Sequence, residues 1–186
     1  MINSSTLHRY NQALHDLRVA HSKTGCIFSI SLVLLGAGLD YEMYPDHLKE
    51  FFAARLFVSA LTLLILLVIL TKRGQPHVRS LTLLWLALPQ LMIGWMIAVT
   101  EGSASIYFVG MQLAFFAGGM IVPVNHFEGL GYGLFTAIVY VLACYFHSGG
   151  IQDFGQFITN LLFLSFAAII SAGAIFFAEL GRMRMF

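Results

Sequence analysis

The sequence predicts an all-α fold: an integral membrane bundle of six transmembrane helices with both termini cytoplasmic. Three observations predict it. First, 59% of the 186 residues are hydrophobic and only 10% are charged, against about 25% charged in a soluble domain, so a soluble fold of this size could not cover its own core. Second, the charges are spaced as membrane spans require. Third, Lys and Arg collect on alternate connections. The same composition excludes disorder, which needs low hydrophobicity and high charge. A net charge of +1 points to neither a nucleic-acid partner nor an acidic substrate.

The uncharged stretches define the spans in order. Lys23 to Asp40 and Arg55 to Lys72 each leave 16 uncharged residues, and Arg79 to Glu101 leaves 21. Glu101 to Glu128 leaves 26, Glu128 to Asp153 leaves 24 and Asp153 to Glu179 leaves 25. A helix needs roughly 20 apolar residues to cross about 30 Å of hydrocarbon. The last four stretches suffice alone. The first two are lengthened by residues 21–23 at the interface and by 51–54 upstream of the second helix. Six spans follow, at 22–41, 52–71, 80–99, 104–124, 130–147 and 156–180. A β-barrel would need alternating apolar and polar residues, and the run from Leu61 to Leu70 does not alternate.

Orientation follows from the basic residues of short loops. With the N-terminus inside, the inner segments hold Arg9, Arg18, Lys23, Lys72, Arg73, Arg79, Arg182 and Arg184, and the outer loops hold only Lys49 and Arg55. The acids Asp40, Glu42, Asp46, Glu50, Glu101 and Asp153 lie outside. Residues 1–21 lack the apolar core of a signal peptide. Their Leu7, Tyr10, Leu14, Leu17 and His21 recur at helical spacing, which reads either as an amphipathic cytoplasmic leader on the inner leaflet or as a short polar lead-in. The membrane domain then covers 22–180, and 181–186 begins a cytoplasmic signalling helix whose output domain is absent. Cys26 and Cys144 fall near opposite membrane faces, which argues against a disulfide. No internal repeat of the kind that builds many transporters is evident.

Catalytic motifs are missing: there is no phosphate-binding Gly-rich loop followed by Lys, no HExxH and no Gly-x-Ser-x-Gly. No catalytic residue, metal site or cofactor is therefore expected. Gly129, Gly131 and Gly133 open a membrane span and read as backbone packing rather than a nucleotide loop. None of the seven histidines is mid-span and no two stand at i, i+4, which argues against buried haem ligation. His21, His77 and His126 on the inner side, or the outer acids, remain weaker candidates for a metal.

Polar residues inside spans are more informative, because an unpaired amide in lipid is costly. Gln90 follows Pro89, which removes a backbone hydrogen bond and predicts a kink. Gln112 lies near the middle of the fourth span and Asn160 in the outer half of the sixth. With Trp95 and Tyr107 they make a candidate ligand-binding set of an apolar cavity with a few orienting amides; the alternative is interhelical hydrogen bonding. The last span carries small residues at close-packing intervals (Ala167 to Ser171, Ala168 to Ala172, Ala174 to Ala178), facing either the bundle or a second subunit.

Several stretches together resemble the six-helix membrane sensory and anchor domain of bacterial receptor enzymes, among them class III adenylyl and guanylyl cyclases and quorum-sensing-type histidine kinases. They are Leu39-Asp40-Tyr41, Tyr44-Pro45, Phe51-Phe52-Ala53-Ala54-Arg55-Leu56, Ile106-Tyr107-Phe108-Val109-Gly110-Met111-Gln112 with Pro123, and Asn160-Leu161-Leu162-Phe163, with Glu179, Arg182 and Phe186 at the transducing end. The resemblance implies a multi-pass protein of the bacterial inner membrane, a homodimer in the lipid bilayer. It implies that a small apolar ligand or lipid is sensed and that Glu179 and Arg182 lie on the path to a cytoplasmic cyclase or kinase. Two other readings stay open: a small transporter or channel, and a passive dimerising anchor.

Overall fold

A computed structural model describes residues 4–123 and 125–183, with side chains from Gln12 onward except those of Met120, Arg182 and Met183. Seven α-helices account for nearly all of it: α1 (Ser4–Leu35), α2 (Ala37–Met43), α3 (Leu48–Leu70), α4 (Val78–Val99), α5 (Tyr107–Ile121), α6 (His126–Phe146) and α7 (Phe154–Met183). No strand occurs among the described residues, so the helical class stands. Five helical stretches are long and apolar enough to cross a membrane. The exception is α5, whose 15 residues rise only about 22 Å.

Each boundary has a local cause. The leader and the first span form one helix without a break at residue 21; α1 ends before Gly36, and α2 continues for two turns beyond it. Pro45 and Pro76 each open a 3-10 turn that leads into α3 and α4. After α3, Thr71 Oγ1 donates to the Val68 carbonyl at 2.7 Å and accepts from the Gly74 N–H at 3.0 Å. A side chain at Gly74 would meet the Val68 carbonyl, so the turn requires glycine. The expected span 104–124 is cut back to α5 because Pro123 disfavours helix at Val122, which is extended. Asn125 and Glu128 then form a reciprocal capping box that starts α6 four residues earlier than hydropathy indicates. Asp153 Oδ1 accepts from the Gln156 N–H at 2.8 Å and caps α7.

Packing makes α4 the hub, in contact with α1, α3, α5 and α6, while α7 leans on α5 and α6. Close approach depends on glycines. A Cβ at Gly94 would sit 2.5 Å from Val139, one at Gly133 2.6 Å from Ala168, and one at Gly129 2.6 Å from Ile175. The Gly129 and Gly133 pair thus seats α6 on α7, while Gly131 faces open space. In α7 the small residues Ala167, Ala168, Ser171 and Ala172 turn into the bundle, and Ala174 and Ala178 are exposed. The core has two halves: one around Phe51, Met96, Met111 and Tyr140, the other around Ile69, Trp85, Phe115 and Tyr132. The second half lies toward the end that bears the start of α1 and the end of α7, here called the terminal end; the opposite end is the far end.

Candidate functional site

At the far end, the break at Gly36 swings α2 so that Asp40 meets Arg55 of α3. Arg55 donates from Nε to Asp40 Oδ2 at 2.6 Å and from Nη2 to Oδ1 at 2.7 Å. Its Nη1 donates to the Val33 carbonyl at 2.8 Å, one of the carbonyls a helix C-terminus leaves without an intrahelical partner. The Tyr107 hydroxyl donates to Asp40 Oδ1 at 2.6 Å. Asp40 is fully buried and the Arg55 side chain is 6% exposed, so both charges have left water and are held by a two-point ion pair with extra donors. A Cβ at Gly36 would lie 2.2 Å from Arg55 Nη1, so a side chain there would push the guanidinium off its present position.

Aromatic rings extend the cluster toward the loops. Tyr44 stacks on Tyr107 with centroids 5.2 Å apart, and Phe51 stands edge-on to both and to Trp95. The Tyr44 hydroxyl donates to Glu101. Burial and that neighbouring carboxylate push the Tyr44 phenol above its ordinary pKa, keeping it neutral and a donor.

Below this cluster a groove of about 520 Å³ runs between α1 and α5, with α4 as its floor. Gly36, Arg55 and Tyr107 form its far-end wall. Trp85, Leu86, Pro89, Met92 and Ile93 form the floor, and Tyr132 of α6 reaches its edge. Gly110, Ala114, Ala117 and Gly118 line the α5 side, so that wall is low. At the terminal end α1 and α5 meet: His21 Nδ1 donates to the Ile121 carbonyl at 2.6 Å, and Gly25 abuts Trp85 and Ile121. Phe28, Leu32 and Leu113 on the rims are exposed, so the groove opens sideways onto the apolar flank of the bundle. In its floor the Trp85 Nε1–H is buried with no hydrogen-bond partner among the described residues, a state that costs about 1–3 kcal/mol.

The five candidate ligand residues do not converge. Tyr107 lines the groove. Gln90 lies behind it, fully buried, with Nε2 donating to the Met111 carbonyl at 3.2 Å and to the Tyr132 hydroxyl at 3.1 Å. The Tyr132 hydroxyl donates in turn to the Leu86 carbonyl at 3.1 Å. Asn160 sits elsewhere, donating to the Ser103 carbonyl at 2.9 Å and to the Tyr140 hydroxyl at 3.0 Å. Trp95 and Gln112 do not line the groove. Sequence reasoning missed Arg55 and Asp40 as a pair, together with Trp85 and Tyr132. The available signal was the resemblance itself, since Asp40, Tyr44, Phe51, Arg55 and Tyr107 come from four of its stretches and fold into one cluster.

The terminal end holds a second network. Glu128 accepts from Arg18 at 2.7 Å and from Arg79, and Arg18 also donates to the Pro123 carbonyl at 3.1 Å. Glu179 of α7 accepts from His126 Nδ1 at 3.1 Å. Arg182 lies within α7, but its side chain is outside the described residues. Among the described residues no three His, Cys, Asp or Glu side chains gather as a metal site would need. Four of the six acids expected outside have other partners: Asp40 pairs with Arg55, Glu101 with Tyr44, Glu50 with His47, and Asp153 caps α7.

No curated protein and no solved structure matches the chain. A family model, MASE8, matches residues 38–186, from α2 through the last helix. The matched stretch carries Asp40, Arg55, Tyr107, the groove floor and both walls of the α6–α7 contact. With apolar helices of spanning length on one side and this match on the other, the chain belongs to MASE8, a family of membrane-associated sensory domains.

Proposed function

We propose that the chain is the receptor part of a bacterial inner-membrane signalling protein, crossing the membrane six times with both termini in the cytoplasm. A small, mostly apolar ligand or lipid binds in the α1–α4–α5 groove, and a dimer passes the change through α7 to a cytoplasmic cyclase or kinase. The observation that carries this reading is the groove: apolar, of ligand size, open to the flank, and ended by buried Arg55 and Tyr107. Tyr107 is the one sequence-predicted ligand residue in direct reach, and Gln90 acts through Tyr132.

The route onward is mechanical. α5 is a groove wall and also touches α7, where a Cβ at Gly119 would lie 2.7 Å from Ser171 Oγ. A ligand that separates α5 from α1 therefore loads α7, provided it binds one helix arrangement better than the other. Glu179 couples α7 to α6 through His126, and Arg182 follows one turn later.

The test uses the chain in lipid vesicles with a spin label on Phe177→Cys, an exposed α7 position, and straight-chain alcohols of graded length as probes. The expected result is a length-dependent change in the label-to-label distance across the dimer, abolished by Ala114→Phe, which fills the groove. An unchanged distance with a stable dimer would leave a passive anchor. Probe flux across the vesicle wall without any distance change would favour a transporter.

A further inference from the structure

We infer that the resting occupant of the groove is one acyl chain of a bilayer lipid, which enters sideways between α1 and α5. This rests on the proposed reading of the groove as a binding site and names what fills it before any signal arrives. Four features of the groove point to it. It is shut at the terminal end by the His21–Ile121 contact and by Gly25 against Trp85. It is shut at the far end by the Asp40–Arg55–Tyr107 cluster. Its open side faces the apolar flank, so lipid reaches it and bulk water does not. From Gly25 to Gly36 it runs eleven residues along α1, about 16 Å, or about half the roughly 30 Å hydrocarbon layer. That is the reach of a chain from one leaflet.

The wall on α5 supports the same occupant. Small residues on a membrane helix usually let a second helix approach closely. Here Gly110 has no tightly packed helix over it: a Cβ there would have its nearest neighbour, Ile93, 4.0 Å away. The groove is lined mainly by apolar residues, with Ser29, Arg55, Tyr107 and Tyr132 the polar-bearing ones. An empty apolar trough of this size next to fluid hydrocarbon would forfeit contacts along its whole length. An acyl chain restores them with no new polar group to satisfy.

The protein carries two tryptophans, and they differ in a way that makes the test direct. Trp85 is 3% exposed and can touch lipid only through the groove, whereas Trp95 is 40% exposed on the outer surface. Trp95→Phe leaves Trp85 as the sole emitter, and Trp85→Phe leaves Trp95. Both are placed in phosphatidylcholine vesicles whose acyl chains are brominated near mid-chain, with unbrominated vesicles as reference. The expected result is loss of Trp85 emission comparable to that of Trp95. Adding Ala117→Phe, or Ala114→Phe should the first fail to fold, restores Trp85 emission and leaves Trp95 quenched. Trp85 emission that is indifferent to bromination, beside a quenched Trp95, overturns the inference. Quenched Trp85 in a protein whose α7 labels never move keeps the lipid and removes the sensory role; moving labels with unquenched Trp85 does the reverse.

Discussion

The two ends of the bundle solve the same problem differently. Each places a carboxylate in the bundle and gives it to arginine. At the far end Asp40 and Arg55 are both sealed, and every donor and acceptor that faces inward is matched. At the terminal end Glu128 is 7% exposed and Arg18 11%, but the second arginine, Arg79, is 66% exposed. The far end is therefore a closed joint, in which removing one member strands the other. The terminal end is a shared one, in which Glu128 keeps a partner when either arginine leaves. The closed joint stands at the head of the groove, and the shared one beside α7.

The largest effect that would break this comparison comes from the sealed pair. Asp40→Ala leaves Arg55 buried and uncompensated and is expected to cost about 3–5 kcal/mol, read as unfolding in detergent. Asp40→Leu combined with Arg55→Met removes both charges and is expected to recover most of that loss. A double variant as unstable as the single would mean that packing, not charge, holds the joint. Next comes Tyr107→Phe, which takes one hydrogen bond from a carboxylate that keeps its arginine, for about 1.5–3 kcal/mol. Asn125→Ala, which opens the α6 capping box, is expected to cost about 1 kcal/mol. The smallest is Arg79→Ala, within about 1 kcal/mol and further reduced by added salt. A large, salt-resistant loss at Arg79 would erase the contrast between the ends.

Much of the fold was readable because hydrocarbon thickness acts on the sequence directly. The uncharged gaps located α3, α4, α6 and α7 to within a few residues. Their ends moved where capping chemistry outranked hydropathy, as at Asn125 and Asp153. The helix break at Gly36 was invisible to a reading based on charge gaps. So was the shortening of α5, which turns on Pro123 and its effect on Val122. The site was harder. Asp40 and Arg55 stand 15 residues apart on two helices joined by a turn, and each reads singly as a flanking charge. Gln90 and Asn160 were identified as buried polar residues, and they are, but burial does not tell which neighbour an amide will find. Asn160 found Ser103 and Tyr140, away from the groove.

The shortness of α5 has a mechanical consequence for the membrane around it. At about 22 Å it falls well below the roughly 30 Å of an average hydrocarbon layer, whereas the 22 residues of α4 reach about 33 Å. On the proposed six-span reading, lipid beside α5 would have to thin while lipid beside its neighbours would not, at a cost of fractions of a kcal/mol for each ångström of mismatch. That cost grows in thicker bilayers and falls in thinner ones, and it is borne on the side of the bundle where the groove opens. On that reading, bilayer thickness would enter as a lateral load on one helix, before any molecule has bound.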